Sequence, residues 1–280
     1  MSVQSRIHLL DDKLTDVEKK IADYILAYPD EVINATTKEI GEMTNSSAPS
    51  VVRFIKKIGY RSVNDFKLSL HSEKLEKQQQ KYDDVSMDDS FETTKRKLCN
   101  NAILTLEETN QVIHETQINQ IVNLLEEKAT IFVFGIGASS IIAEDIYQKW
   151  SRIGKIVFLE KDLHILTAML SSHKNDGVLW LISNSGMTTE VVKAAHIAKN
   201  IQMPIIAQTM LGSNPLSKLA DFLIRTSIPK EAFLRSAATN SLFAQLYTVD
   251  VVFYKFLQNN EEYFKNIYES RKLIEKLNQP

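Results

Sequence analysis

The sequence predicts a two-part chain: an all-α amino-terminal unit built around a helix, a tight turn and a helix, then an α/β unit. The α/β part is expected to hold a five-stranded, parallel, doubly wound sheet with flavodoxin-like strand order. Three observations carry this prediction. Apolar residues recur at helical spacing from residue 1 to about 75, a polar stretch fills 71–90, and from 130 apolar strands alternate with amphipathic helices. The boundaries follow as 1–75 for the helical domain, 76–92 for a linker and 93–280 for the sheet domain with its flanking helices.

In the first part, Val17, Ile21, Tyr24, Ile25 and Tyr28 share one helical face, opened by Thr15 and Glu18 at capping-box spacing and ending near Pro29. Thr36 and Glu39 form a second box, starting a short helix to about Met43. Thr44-Asn45-Ser46 makes the turn, and a helix from Ser47 to Ile58 is closed by Gly59. Residues 71–90 carry few large apolar groups and read as a linker. Two helices are expected over 91–127.

Strands are expected near 130–134, 155–159, 177–182, 204–209 and 222–226, with helices between most of them. Two long helices, 236–258 and 260–276, finish the chain. No internal repeat is found.

At 280 residues, 44% apolar and 24% charged, the composition is that of an ordinary globular protein and excludes a disordered chain or a fibre. The 33 basic and 35 acidic residues nearly cancel, so nucleic acid would have to be met by a local patch. Cys99 is the single cysteine, which leaves no internal disulfide and favours a reducing, cytoplasmic setting. No clustered Cys or His spacing suggests a metal site. The start has no signal-peptide apolar core, and stretches such as 131–143 are too short to span a bilayer, so no membrane partner is expected.

A local basic patch does exist. In helix 47–58, Val51, Phe54, Ile55 and Ile58 make the packing face and leave Ser50, Arg53 and Lys57 on the opposite one. Residues 45–71 hold five basic side chains (Arg53, Lys56, Lys57, Arg61, Lys67) against one acidic, Asp65. Small Ser46, Ser47 and Ser50 would let this helix approach a major groove, where Arg53, Lys57 and Arg61 reach bases or phosphates of double-stranded DNA. Pro49 in the first turn costs little. An ordinary helical unit with a basic outer face fits the same periodicity.

The second constellation is the run Val178-Leu-Trp-Leu-Ile-Ser-Asn-Ser-Gly-Met-Thr-Thr-Glu190, where a strand ends in hydroxyl residues around a glycine and a helix begins. Ser183, Ser185 and Thr188 are short donors, and Gly186 lets backbone amides approach an anion. The first strand ends likewise, at Gly135-Ile136-Gly137-Ala138-Ser139-Ser140. Two readings stay open. Gly135-x-Gly137 with Glu160 after the next strand suits a nicotinamide dinucleotide, although Ser140 replaces the third glycine. Alternatively, neighbouring turns after strands one and three converge on a phosphate monoester, held by Ser139, Ser183, Asn184, Ser185 and Thr188. Serines acting merely as helix caps, their commonest job, fit the same pattern.

These motifs resemble the MurR/RpiR family of bacterial transcriptional regulators, which joins an amino-terminal helix-turn-helix to a carboxy-terminal sugar isomerase (SIS) domain. The resemblance spans nearly the whole chain. Ser47 to Tyr60 with Asp65-Phe66-Lys67 is similar to the family's recognition helix and following turn, and implies Ser47, Ser50, Arg53 and Lys57 as DNA contacts. Gly135–Ser139 and Ser183–Glu190 look like the SIS phosphate loops, implying a phosphorylated sugar or amino sugar as effector and no cofactor. Ser213–Leu216 and Ala220-Asp221 resemble the stretch between the fourth and fifth strands. The resemblance places Glu231 near the sugar with Arg235 after it, and Ser241-Leu242 departs from the Ser-Arg of many members.

Isomerisation of a sugar phosphate would need a base and a ring-opening acid, for which Glu231, Glu190, His164, His173 and His196 are candidates. None sits in a catalytic motif, while His164 and Glu231 suit sugar binding. A DNA-reading unit fused to a phosphate-sugar pocket needs differential binding between two conformations rather than turnover. The expectation is therefore a regulator of sugar or amino-sugar metabolism, not an enzyme. It should act as a homodimer or homotetramer on a palindromic operator. A catalytic isomerase with an accessory helical domain is the alternative, and a nicotinamide oxidoreductase the third.

Overall fold

The computed structural model describes residues 2–79, 82–231 and 237–277; Arg235 lies outside them. The chain divides into two compact units: Met1–Asp84 with Asp88–Leu104 and Leu211–Ser213, and Val85–Met87 with Thr105–Met210 and Asn214–Pro280. Among the described residues no helix is long and apolar enough to cross a membrane.

The first unit contains α1 (Val3–Leu9), α2 (Asp16–Ala27), α3 (Pro29–Asn34), α4 (Thr37–Met43), α5 (Ala48–Lys57), α6 (Val63–Gln79) and the start of α7 (Phe91–Val112). Both capping boxes form, with the Thr15 and Thr36 hydroxyls accepting from the Glu18 and Glu39 amides and each carboxylate accepting in return. Pro29 ends one helix and also begins α3, because a first-turn residue needs no amide donor. Ile21, Ile25, Ile40, Val51, Phe54, Ile55 and Phe66 make one core. Helix α6 runs through Gln79, past the start of the expected linker. The Glu73 carboxylate holds this turn by accepting the Val3 amide at 2.9 and 3.1 Å, a tie that hydrophobic patterning does not reveal.

The second unit is a five-stranded parallel sheet of order β2-β1-β3-β4-β5, formed by β1 (Thr130–Gly135), β2 (Ile156–Leu159), β3 (Gly177–Ile182), β4 (Ile205–Met210) and β5 (Phe222–Thr226). Helices α8 (Glu115–Glu127), α9 (Ser139–Arg152) and α13 (Asn240–Gln258) bury Ile131, Val133, Val178, Trp180 and Ile206 against one face. Helices α10 (Leu163–Ser172), α11 (Thr189–Asn200) and α12 (Pro215–Leu219) bury Phe132, Phe134, Leu179, Leu181 and Ile205 against the other. Alternate residues thus serve opposite layers, which is why β1 and β3 read as unbroken apolar runs. Helix α14 (Glu261–Leu277) completes the unit.

The largest inward groups of the first layer meet edge to face, with the Trp150 and Trp180 rings 5.3 Å apart and Phe253 4.9 Å from Trp150. Replacing Trp150 by Ala should cost about 3–5 kcal/mol, read as a lower urea midpoint with an unchanged slope.

Candidate functional site

The sheet order makes β1 and β3 neighbours, with Gly135 paired to Ile182, so the turns following both strands leave the same edge. Helix α9 leaves after β1 towards β2 and α11 after β3 towards β4, the arrangement that opens a crevice at the carboxyl ends of the strands. Each turn has a glycine in the left-handed region, Gly137 at φ +63° and Gly186 at φ +64°. Gly135 is required for a different reason: a Cβ there would lie 2.8 Å from the Ser139 carbonyl oxygen, so α9 starts directly against the strand end.

The loop after β3 is built by its own side chains and by the next loop. The Ser183 amide donates to the Gln208 carbonyl, and its hydroxyl accepts from the Gly186 amide at 3.1 Å and lies 3.0 Å from the Thr188 hydroxyl. The Asn184 carbonyl accepts from the Met210 amide and the Thr209 hydroxyl. At Gly186 a Cβ would fall 1.9 Å from Asn214 Oδ1, so Asn214 closes the floor of the loop. Ser183 is 2% exposed and acts chiefly as an internal latch. Ser185, exposed, accepts the Met187 amide, and Thr188 stands at the start of α11. Ser139 begins α9 half-buried, and no described side chain or amide bonds its hydroxyl.

Glu231, expected near the sugar, has its carboxylate bonded at the start of α13. Its carboxylate accepts the amides of Thr239, Asn240 and Ser241 at 3.0, 3.1 and 2.9 Å, and the Ser241 hydroxyl at 2.5 Å. It therefore caps α13, where four amides lack helical partners and negative charge is favoured. Burial pushes this carboxyl up, but the Ser241 hydroxyl and the three amides outweigh it and hold it below the usual glutamate value. Helix α13 is observed from Asn240, and residue 236, where the expected helix begins, lies outside the described residues.

The remaining candidates are scattered. Glu160 accepts the Lys161 and Asp162 amides of its own turn. His173 lies before β3, its ring 5.4 Å from Phe132 and 5.9 Å from Phe158, as a packing group. Glu190 and His196 are exposed on α11. His164, exposed in the first turn of α10, follows β2 at the crevice edge of the sheet. Among the described residues no three His, Cys, Asp or Glu side chains gather as a metal site would need.

Beneath the β3 loop the sequence reading missed a buried polar layer. Gln208 on β4 donates to the Gln245 carbonyl and to the Thr248 hydroxyl, both at 2.8 Å, and Gln245 Nε2 lies 3.5 Å from Asn184 Oδ1. The signal was Ser241, Gln245 and Thr248 at i, i+4, i+7, a polar stripe on the buried face of α13.

In the first unit, α4, the turn and α5 form a helix-turn-helix. Asn45 takes φ +52°, the Ser46 amide donates to the Gly41 carbonyl, and Thr44 and Ser46 hydroxyls lie 2.8 Å apart. Ser46 is thus a turn residue, and Ser47 caps α5 by accepting the Ser50 amide. At the other end Gly59, at φ +92°, closes a Schellman turn whose Ile58 and Gly59 carbonyls accept from Arg6. Arg53 is exposed and donates to the Ser50 hydroxyl at 3.3 Å. Arg61 is exposed beyond the turn, its amide donating to Asp65. Lys57, expected as a DNA contact, is exposed and also bound within the domain. It donates to Glu18 Oε2 at 2.7 Å and to the Lys13 carbonyl at 2.8 Å, tying α5 to α2, and this contact chiefly holds Glu18 below its usual value.

A helix-turn-helix with a basic outer face, joined in one chain to a doubly wound sheet with serine-rich turns at its switch point, defines a DNA-binding regulator of transcription. The match to known proteins is specific on both sides. Residues 1–77 match the helix-turn-helix domain of the rpiR family, and residues 124–255 match the SIS domain. The chain is 34% identical over 247 residues to the uncharacterized HTH-type transcriptional regulator YbbH of Bacillus subtilis, covering 88% of this chain and 87% of that one. An uncharacterized HTH-type transcriptional regulator of Thermotoga maritima is 31% identical over 99% of both. The chain belongs to the RpiR family of helix-turn-helix transcriptional regulators with a SIS domain.

Among solved structures, Vibrio vulnificus NanR complexed with ManNAc-6P shares the fold over 99% of both chains, at a TM-score of 0.63 and 24% identity. The sugar isomerase domain of an RpiR transcription factor from Sphaerobacter thermophilus does so over 64% of this chain and 98% of its own, at 0.57 and 16%.

Two substitutions probe this geometry. Gly186→Ala sets a Cβ on Asn214 in a left-handed backbone and should lower stability by about 1–3 kcal/mol, read by urea unfolding. Because the folded Glu231 pKa lies below its unfolded value, its stabilisation is present above about pH 4.5 and lost as pH falls through the folded value. Glu231→Gln should remove that part of the acid limb in a pH series of thermal melts, and an unchanged limb would show that the cap contributes nothing.

Proposed function

We propose that this regulator senses a phosphorylated sugar or amino sugar at the crevice between the β1 and β3 turns, and that occupancy changes its grip on operator DNA. The observation that carries this reading is the pairing of two left-handed glycine turns with hydroxyl-bearing helix starts on adjacent strands. Ser139, Ser185 and Thr188 would face the phosphate, with Ser183 shaping the loop and Asn184 reaching the sugar; helix N-termini favour such an anion. The fold shared with NanR, solved with ManNAc-6P, supports the same ligand class. Glu231, spent on the α13 cap, is a poor base, which favours sensing over isomerisation.

On the DNA side, Ser47, Ser50, Arg53 and Arg61 present the outer face of α5 and its following turn, while Lys57 contributes through the helix's placement. A homodimer or homotetramer would set two such helices on a palindromic site.

A thermal-shift panel of sugar phosphates tests the pocket. One member should stabilise the chain, by about 2–3 kcal/mol at a hundredfold excess over its Kd, and Ser185→Ala should abolish the gain while leaving the unliganded melt near wild type. Stabilisation by NAD instead of sugar phosphates would overturn the reading. For DNA, Arg53→Ala should weaken binding to a selected duplex by about 1–3 kcal/mol, and the same affinity in both proteins would remove α5 from the interface.

A further inference from the structure

Helix α7 carries an unusual stripe. Lys97, Asn101, Thr105 and Thr109 stand at successive i+4 positions, and all four are buried, at 9%, 5%, 0% and 0% exposure. A polar row at this spacing lies along one face of a helix. The side chains of Lys97, Asn101 and Thr109 are matched. Asn101 grips the backbone of Asp83 from both ends of its amide, accepting the Asp83 amide at 3.1 Å and donating to the Asp83 carbonyl at 3.0 Å. Lys97 donates to the Asp84 carbonyl at 2.8 Å and pairs with Asp89 at 3.0 Å and Asp83 at 3.4 Å. The Asp89 bond is the chief reason its ammonium is held above the usual lysine value.

Further along the row the partner changes. The Thr109 hydroxyl accepts the Ser227 amide at 3.3 Å and lies 3.0 Å from the Ser227 hydroxyl, which donates to the Thr105 carbonyl. Asn110 beside it accepts the Tyr247 hydroxyl of α13 at 2.7 Å. Ser227 follows β5 and stands four residues before Glu231, the cap of α13, and α13 carries Gln245 beside Asn184 of the β3 loop. One helix therefore holds, at one end, the segment that follows the helix-turn-helix domain and, at the other, the strand end leading to the helix under the phosphate loop.

We infer that α7 is the transmission element of this regulator, and that Lys97 and Asn101 are positioning residues which clamp segment 83–89 so that effector occupancy is felt by the DNA-binding domain. The inference rests on the sensing role proposed above and adds the route. A matched polar row favours one register, because a slip of a single residue would bury Lys97 and Asn101 without partners. An apolar seam would permit sliding.

Coupling is reciprocal, so DNA must be felt in the phosphate loop, which allows a test that needs no effector. The 280-residue chain and its Lys97→Met/Asn101→Leu variant are compared by hydrogen exchange, each with and without a duplex selected from a random-sequence pool. In the wild type, DNA should change exchange of the 183–188 loop by about fivefold or more. In the variant, which keeps the whole DNA face, the duplex should still bind and the change should vanish; Lys97→Arg should restore it. If the double variant does not fold by circular dichroism, Asp89→Asn and Asn101→Ala are read in the same way. A wild type without the response, or a folded variant that retains it, overturns the inference. The sensing role fails separately, if no sugar phosphate stabilises the wild-type chain.

Discussion

Everything at the candidate effector site depends on the packing of two strands, β1 beside β3, in a parallel sheet. With that pairing the turn after each strand leaves the same edge, and two helix starts come to the same crevice although about fifty residues separate them in the chain. The glycines then serve closeness. Gly135 lets α9 start on the strand end, and Gly186 lets the β3 loop settle on Asn214. Were β1 paired elsewhere, Ser139 would stand apart from Ser183, Ser185 and Thr188.

The division of labour among polar side chains follows from which groups are already satisfied. Ser183, Glu231 and Lys57 carry functional chemistry in their side chains, yet each spends it on structure: a loop latch, a helix cap and a tie between helices. Ser185, Thr188 and Ser139 keep donor capacity at the crevice, and Arg53 keeps it on α5. A buried or bound charge costs much to release, so the groups left outward are the ones suited to a ligand. The helix-turn-helix is equally constrained, since α5 is fixed by Ser47 at its start and by Arg6 and Gly59 at its end.

Much of this was legible from residues alone. Capping boxes at Thr15 and Thr36 form as their spacing demands, because an N-cap is a local contact among four residues. The five strands appear where apolar runs end at glycine or polar turns, since both faces of a parallel sheet are covered. Helix α3 was not legible, because a proline that stops one helix is also a favourable first residue for the next. Nor was the continuation of α6 to Gln79, which rests on Glu73 meeting Val3 seventy residues away. The polar stripes of α7 and α13 were open to view as i+4 repeats, but a sequence does not say whether such a stripe faces solvent or a partner.

By itself the sequence determined the order of a helical region before a parallel sheet and the positions of the sheet strands. These are written in periodicity and in contacts within a turn or two, where chain connectivity limits the alternatives. Only the tertiary structure decided which member of each motif is spent and which is free. Glu231 became a cap and Lys57 a tie because their partners, Asn240 with Ser241 and Glu18 with Lys13, are brought by folding from elsewhere in the chain. A hydrogen bond is settled by distance in space, and distance along the chain does not report it.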